Sequence, residues 1–257
     1  MLLTSQAISP DCTLSLPNDL NSIIENSKSF SLKKHDLSTT VGIIKGTDFG
    51  LLHDLLVKRF NYRGFLDFLL HRIFNSRAKR LWNINLRLYE KGLPVPKPVA
   101  YIESSLKQKN SFFISFVIDN ADNLGNIYRK GILNIDKNIL KQLAETVVTW
   151  HLKGAVHGDL KWPNILIQEN NNEYKIFFID LDQSRLYSEP YPKGIIKDLK
   201  RFYRFGLELG AEKWVESEFF PEYIAIVPDE IKTKIDLNTV KNDAVKDWHK
   251  KGGKRVS

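Results

Sequence analysis

The sequence predicts an α+β fold in two lobes: a small antiparallel-sheet N-terminal lobe with one helix, followed by a mainly helical C-terminal lobe. Three observations lead to this. The first half carries short β-rich runs on either side of one long helical stretch. The segment DNADNLG at 119–125 has turn chemistry and no periodic pattern of its own. Beyond it the apolar spacing becomes helical, interrupted once by a hairpin pattern.

The elements follow in order. Residues 1–38 are polar and mixed, and are expected to be a loosely packed leader or a short appended element. The run TTVGIIKG at 39–46 is β-branched and bounded by glycine, which predicts a strand, and a second strand is expected over 51–60, carrying LLVKRF. Residues 66–90 are expected to be helical, with Phe68, Leu69, Ile73, Leu81, Ile84 and Leu88 near helical spacing. Gly92 ends that helix, and prolines at 94, 96 and 98 hold the chain extended into strands at 99–103 and 111–118. The first lobe thus spans 39–118, the hinge 119–125 and the second lobe 126–257.

In the second lobe Asp136 caps a helix running to about 153, with Ile139, Leu140, Leu143, Val147 and Trp150 on one face and Gly154 at its end. Two short strands, 165–167 and 175–179, flank an Asn-rich turn. Residues 194–210 and parts of 211–250 read as further helices, and the tail HKKGGKRVS is basic.

Composition narrows the class of protein. The chain has 257 residues with 42% hydrophobic content, enough to bury a core without covalent staples. Its one cysteine, Cys12, excludes an internal disulfide framework and suits a reducing compartment. No uncharged apolar run reaches the roughly 18 residues of a membrane span, and residues 1–27 lack the Lys or Arg that opens a secretory signal. A soluble cytoplasmic protein is expected. The formal net charge of +8 favours anionic partners such as nucleotides, phosphorylated glycans or acidic membrane surfaces. No nucleic-acid-binding signature accompanies the charge, so no specific nucleic acid is expected.

The chemically informative stretch is His157-Gly158-Asp159, then Asn164 five positions after the aspartate, then Asp180 closing the next apolar strand. Phosphoryl transfer from ATP needs a carboxylate to receive the proton of an attacking hydroxyl, oxygen ligands for Mg²⁺, and positive charge on the transferring group. Mg²⁺ takes few protein oxygens and keeps several waters, so one Asp and one Asn with the phosphates suffice. A hairpin folds back on itself, so Asn164 at its start and Asp180 at its end can face one ion. Singly, each of the three could cap a turn or close a strand. Their order and their placement on these elements argue for the chemistry.

The segments VHGDLKWPNILI and FFIDLD resemble the protein-kinase-like superfamily, and more closely the bacterial lipopolysaccharide core kinases that phosphorylate heptose or 3-deoxy-manno-octulosonic acid (Kdo). SRAKRLWNINLRLYEKGLPVPKPVA and KDLKRFYRF extend the resemblance, which covers roughly 40–210. It implies Asp159 as catalytic base, Asn164 and Asp180 as Mg²⁺ ligands, and Lys161 as the cation on the transferring phosphoryl group. Lys58 in LLVKRF would pair with the α- and β-phosphates of ATP, with Gly42 and Gly46 in the nucleotide cover. His157 would pack the loop, and Asp198 would anchor it from below. The implied partner is an anionic glycolipid or sugar, met by peripheral contact at the cytoplasmic face of the inner membrane.

Three departures stand beside the resemblance. Gly42, Gly46 and Gly50 are spaced by four and do not form the usual glycine-rich phosphate loop. No glutamate lies between Lys58 and Tyr89 to pair with the lysine; Asp67 and Glu90 are imperfect substitutes. Only a short stretch separates Asp180 from the helix near Gly194, which fits a compact small-molecule or glycolipid kinase rather than a regulated protein kinase. The alternatives are a small-molecule kinase of the aminoglycoside or choline type, against which Lys161 counts, and a nucleotide-binding pseudokinase scaffold.

Overall fold

The computed structural model describes residues 5–8, 30–61, 75–103, 110–132, 136–170 and 173–255. The chain divides into two compact units, residues 1–91 with 96–119 and residues 92–95 with 120–257.

The first unit is a six-stranded antiparallel sheet. Its strands are β1 (Ser5–Ile8), β2 (Phe30–His35), β3 (Thr39–Ile44), β4 (Leu55–Asn61), β5 (Pro98–Glu103) and β6 (Asn110–Phe116), in the spatial order β1-β5-β6-β4-β3-β2. Ile44, Leu55, Val57, Val99, Ala100, Ile102, Phe112 and Ile114 form its core. β1 and β2 lie within the stretch expected to be a leader. The sequence of β2, FSLKKH, conceals the strand because its residues beyond Phe30 are exposed, as suits a lysine-bearing edge. The turn from β2 to β3 is held by Asp36, whose carboxylate accepts the backbone N–H of Ser38 and of Thr39, each at 2.8 Å.

Among the described residues, one helix packs on this sheet. α1 (Arg77–Glu90) is capped by Ser76, whose Oγ accepts the Lys79 N–H at 3.1 Å. It buries Ala78, Leu81, Trp82, Asn85 and Leu88, the helical spacing anticipated in part from the sequence. The earlier part of the expected helix, with Phe68, Leu69 and Ile73, lies outside the described residues.

The longer part of the second unit begins at residue 120, within the segment expected to be the hinge. Ala121–Asn123 form β7, too short to show alternation, and α2 (Leu124–Arg129) starts at once, capped by Asn123. Asp122 joins the two by accepting from Asn126 Nδ2 and Lys130 Nζ, both at 2.7 Å. α3 (Lys137–Leu152) follows, capped by Asp136, with Ile139, Leu140, Leu143, Val147 and Trp150 on its buried face.

After α3 the chain forms β8 (Ala155–Val156), the hairpin β9 (Ile165–Asn170) and β10 (Glu173–Phe178), and β11 (Arg185–Leu186), which pairs with β8. The long α4 (Pro192–Leu209) then buries Ile195, Asp198, Leu199, Phe202 and Phe205. α5 (Phe220–Ile226) and α6 (Leu237–Lys250) complete the unit, α5 packing on α3 and α6 on α4. Trp162 sits at its centre. Its ring meets Tyr128, Phe202, Phe205 and Trp214, and its Nε1–H donates to the Phe202 carbonyl at 3.1 Å. No helix among the described residues is long and apolar enough to cross a membrane.

Trp162 is fully buried, so Trp162→Ala removes a large ring and strands a carbonyl partner. We expect a loss of about 3–5 kcal/mol in urea unfolding, with the denaturant slope unchanged. A loss below about 1 kcal/mol would show that Trp162 does not organise this core.

Candidate active site

The loop between β8 and β9 is shaped by one buried carboxylate. Asp198 on α4 accepts the backbone N–H of His157 at 2.6 Å and of Gly158 at 2.7 Å. Its side chain has no solvent exposure, so these amides replace water as its partners. Behind it the Tyr223 hydroxyl donates to His151 Nδ1 at 2.9 Å, which leaves His151 Nε2 facing Asp198 at 3.5 Å. Gly158 has φ of +82°, and a Cβ there would stand 2.6 Å from the Gln183 carbonyl oxygen. Glycine is required both for the left-handed turn and for that approach.

His157 is wholly buried and works as a brace. Its Nε2 bonds the Ile179 carbonyl at 3.0 Å and must therefore be the protonated nitrogen, while Nδ1 accepts from the Asp159 N–H at 3.3 Å. Burial pushes the imidazole below its ordinary range, more than the charge of Asp198 raises it. Ser184 adds a third brace, its hydroxyl donating to the His157 carbonyl at 3.0 Å.

The loop so held presents Asp159. Arg201 Nε donates to its Oδ1 at 2.5 Å, and Lys161 Nζ stands 3.2 Å from Oδ2. Burial pushes this carboxyl up, but Arg201 and then Lys161 outweigh it and hold the group below its usual range. Asp159 is therefore an anion at neutral pH. Arg201 is itself backed by Glu208, which also receives Arg204.

Asn164 closes the short turn Trp162–Asn164 and enters β9. Its Nδ2 donates to the Asp159 carbonyl at 3.0 Å and lies 3.5 Å from Asp159 Oδ2. Both neighbours are acceptors, so the amide nitrogen must face them and the amide oxygen is turned to other partners. In the hairpin Phe178 pairs with Ile165, and the next amide, of Ile179, donates to the Asn164 carbonyl at 3.0 Å. Asp180 follows directly, so Asn164 and Asp180 share the open end of the hairpin. Asp180 has φ 60° and ψ 54°, left-handed values that cost a non-glycine residue about 1 kcal/mol or more. Strain of this kind at a carboxylate marks a site where direction matters more than comfort.

Lys58 lies on β4 between Val41 of β3 and Phe113 of β6. Alternation puts it on the face of Phe60, with its Nζ 5.5 Å from that ring and the guanidinium of Arg77 also over it. Arg59 points to the other face and reaches Thr40 Oγ1 at 3.4 Å. Asp67 lies outside the described residues, and Glu90 is exposed at the end of α1. Gly42 and Gly46 are explained by contacts of the chain itself. A Cβ on Gly42 would strike the Phe30 ring, and one on Gly46 the His53 carbonyl.

Arg201 and Ser184 were not singled out from the sequence. Arg201 had a signal: it is three positions after Asp198 in one helix and so shares its face. Ser184 had none, since its contact to His157 spans a turn whose geometry only the fold defines.

Comparison with known proteins places this arrangement. Residues 50–220 match the model of the lipopolysaccharide kinase (Kdo/WaaP) family. A 3-deoxy-D-manno-octulosonic acid kinase of Mannheimia succiniciproducens is 32% identical over 110 residues, 42% of this chain and 45% of that protein. Its namesake in Haemophilus influenzae (strain 86-028NP) is 29% identical over 154 residues, 55% of this chain and 61% of that protein. The chain thus spans about half the length of the curated relatives it matches. A solved structure of WaaP in complex with acyl carrier protein superposes with a TM-score of 0.59 at 17% identity, covering 86% of this chain and 88% of that one. At that identity the likeness is one of fold.

The buried neutral imidazole of His157 has a consequence for stability. Its folded pKa is depressed, so between that value and the unfolded value of about 6.5 the unfolded chain binds more protons. Stability is full above about pH 6.5 and falls as pH drops through this window. Urea unfolding of wild type and His157→Asn between pH 7.5 and 5 should show a steeper decline in wild type. Parallel declines would mean that His157 does not carry the effect.

Proposed function

This chain belongs to the lipopolysaccharide kinase (Kdo/WaaP) family, and we propose that it transfers the γ-phosphate of ATP to a sugar hydroxyl of the lipopolysaccharide inner core. The observation that carries this reading is the Asp159 carboxylate, fixed between Arg201 and Lys161 with the Asn164 amide against it. The names of the curated relatives favour Kdo over heptose as the acceptor sugar.

In this reading the acceptor hydroxyl donates its hydrogen bond to Asp159. Arg201 occupies Oδ1, so Oδ2, on the side of Lys161 and Asn164, is the oxygen that receives the acceptor. A carboxylate held below its usual range is a weak base, and that suits the reaction. The transition state for phosphoryl transfer is loose, so the hydroxyl needs orientation first and proton removal late. As the acceptor oxygen bonds to the γ-phosphorus, the bond to the β-bridging oxygen breaks and ADP carries away the electron pair. The hydroxyl proton passes to Asp159. Lys161, part-exposed beside the base, offers its ammonium to the equatorial phosphoryl oxygens.

The residues present suit Mg²⁺. The Asn164 amide oxygen, turned away from Asp159, and the Asp180 carboxylate are hard oxygen donors on the same end of one hairpin. They would hold the ion, which neutralises phosphate charge when bound. Lys58 is assigned the α- and β-phosphates. The basic chain, with +8 formal charge, suits work at the cytoplasmic face of a membrane that carries an anionic glycolipid.

Two outcomes test the reading. Asp159→Asn should lower Mg-ATP turnover on deacylated lipopolysaccharide core by roughly 10²–10⁴-fold with ATP affinity retained; undiminished turnover would remove Asp159 as the base. Arg201→Met should lower kcat by at least about tenfold with little change in the KM for ATP, and Arg201→Lys should recover part of the loss. If Lys and Met variants are equally impaired, or neither is, Arg201 does not position the base through its charge.

A further inference from the structure

A cavity of about 520 Å³ opens beside the catalytic loop in the second unit. One wall contains Gly158, the residue before Asp159. Around it stand three cations: Arg185 on β11, and Lys193 and Lys197 one turn apart on α4. All three are exposed, and among the described residues none forms an ion pair. One carboxylate, that of Asp182, also lines the cavity, so cations outnumber it. Tyr187 and Tyr191 form the remaining apolar wall, their rings 4.5 Å apart and inclined at 31°.

This arrangement has no structural use evident in the fold. Three like charges around one hollow repel each other, and the one carboxylate in its lining, that of Asp182, is outnumbered by them. Elsewhere on α4 the pattern differs: Lys200 pairs with Asp247, Arg201 with Asp159 and Arg204 with Glu208. Lys193 and Lys197, turned to the hollow, form no ion pair among the described residues. A polar rim of positive charge with an aromatic wall is the chemistry that receives a sugar ring bearing an oxyanion.

We propose that this cavity is an anion subsite for the acceptor, taking a carboxylate or phosphate carried by the sugar. Arg185, Lys193 and Lys197 hold the oxyanion, and Tyr187 and Tyr191 receive the apolar face of a ring. The role as acceptor subsite rests on the kinase reading; the binding itself does not. Because Gly158 forms part of the wall, a sugar anchored here has a neighbouring hydroxyl close to the chain position that precedes the base. The subsite would therefore select acidic acceptors and fix which hydroxyl meets Asp159.

The test is calorimetry without ATP, using the full chain and deacylated inner-core oligosaccharide that retains its sugar carboxylates and phosphates. Arg185→Ala with Lys197→Ala should weaken binding roughly a hundredfold, about tenfold for each charge-assisted contact. Both residues are exposed, so the fold is retained, and ATP affinity should be unchanged. Carboxyl-reduced and dephosphorylated forms of the oligosaccharide identify the anion, since one of them should bind wild type as weakly as the intact form binds the double variant. Equal affinity of wild type and double variant, or no binding by wild type, overturns the subsite. Failure of the kinase reading is a separate result: the double variant loses oligosaccharide while Asp159→Asn leaves turnover intact.

Discussion

The two backbone amides of His157 and Gly158 converge on the buried Asp198 carboxylate, and the geometry of the site depends on that convergence. An unpaired carboxylate at this depth would cost several kcal/mol, so the loop is held in the one conformation that satisfies it. The left-handed Gly158 turns the chain immediately afterwards, which aims Asp159 at Arg201 rather than back into the core. Around the same point His157 ties the loop to Ile179, Ser184 ties it to the turn after Asp180, and His151 with Tyr223 fills the space behind. The His157 and Ser184 braces join this loop to the strand end that carries Asp180 and to the turn after it, so Asp159 and Asp180 are fixed to one frame.

Charge balance at Asp159 follows from the same helix. α4 supplies Asp198 to hold the loop and, three residues on, Arg201 to hold the carboxylate that the loop presents. Partial burial opposes ionisation, and two cations overcome it. The result is a permanent anion whose Oδ1 is occupied and whose Oδ2 is not committed to a guanidinium. That asymmetry gives the group a direction; in the proposed reaction a loose transition state demands direction more than basicity. On its first turns the same helix carries Lys193 and Lys197 toward the cavity beside Gly158.

The aromatic centre of the second unit makes this frame rigid. Trp162, two positions before Asn164, is locked by Phe202 and Phe205 of α4 and by Trp214, with its indole N–H paired to the Phe202 carbonyl. The turn that delivers Asn164 to the start of β9 is therefore anchored in a buried aromatic cluster. Asn164 gains its orientation from such neighbours as well as from its own hydrogen bonds.

Much of this was legible in the sequence because it is local. The spacing of Asp159, Asn164 and Asp180 across a hairpin is a matter of chain order and turn chemistry, and the buried faces of α1 and α3 show in the 3.6-residue period. β2 escaped because an exposed lysine-bearing edge strand has no buried alternation to read, and β7 because three residues carry no period. Gly42 and Gly46 leave room for the chain's own Phe30 ring and His53 carbonyl, close approaches that composition alone does not reveal. Ser184 and Arg201 act across 27 and 42 residues of sequence, and the three cations of the cavity lie on two separate elements. By itself the sequence picked out Asp159, Asn164 and Asp180 and the elements on which they lie, since local propensity and chain order fix both. Only the tertiary structure decided which charge meets which carboxylate, because pairing depends on distances that long-range packing sets.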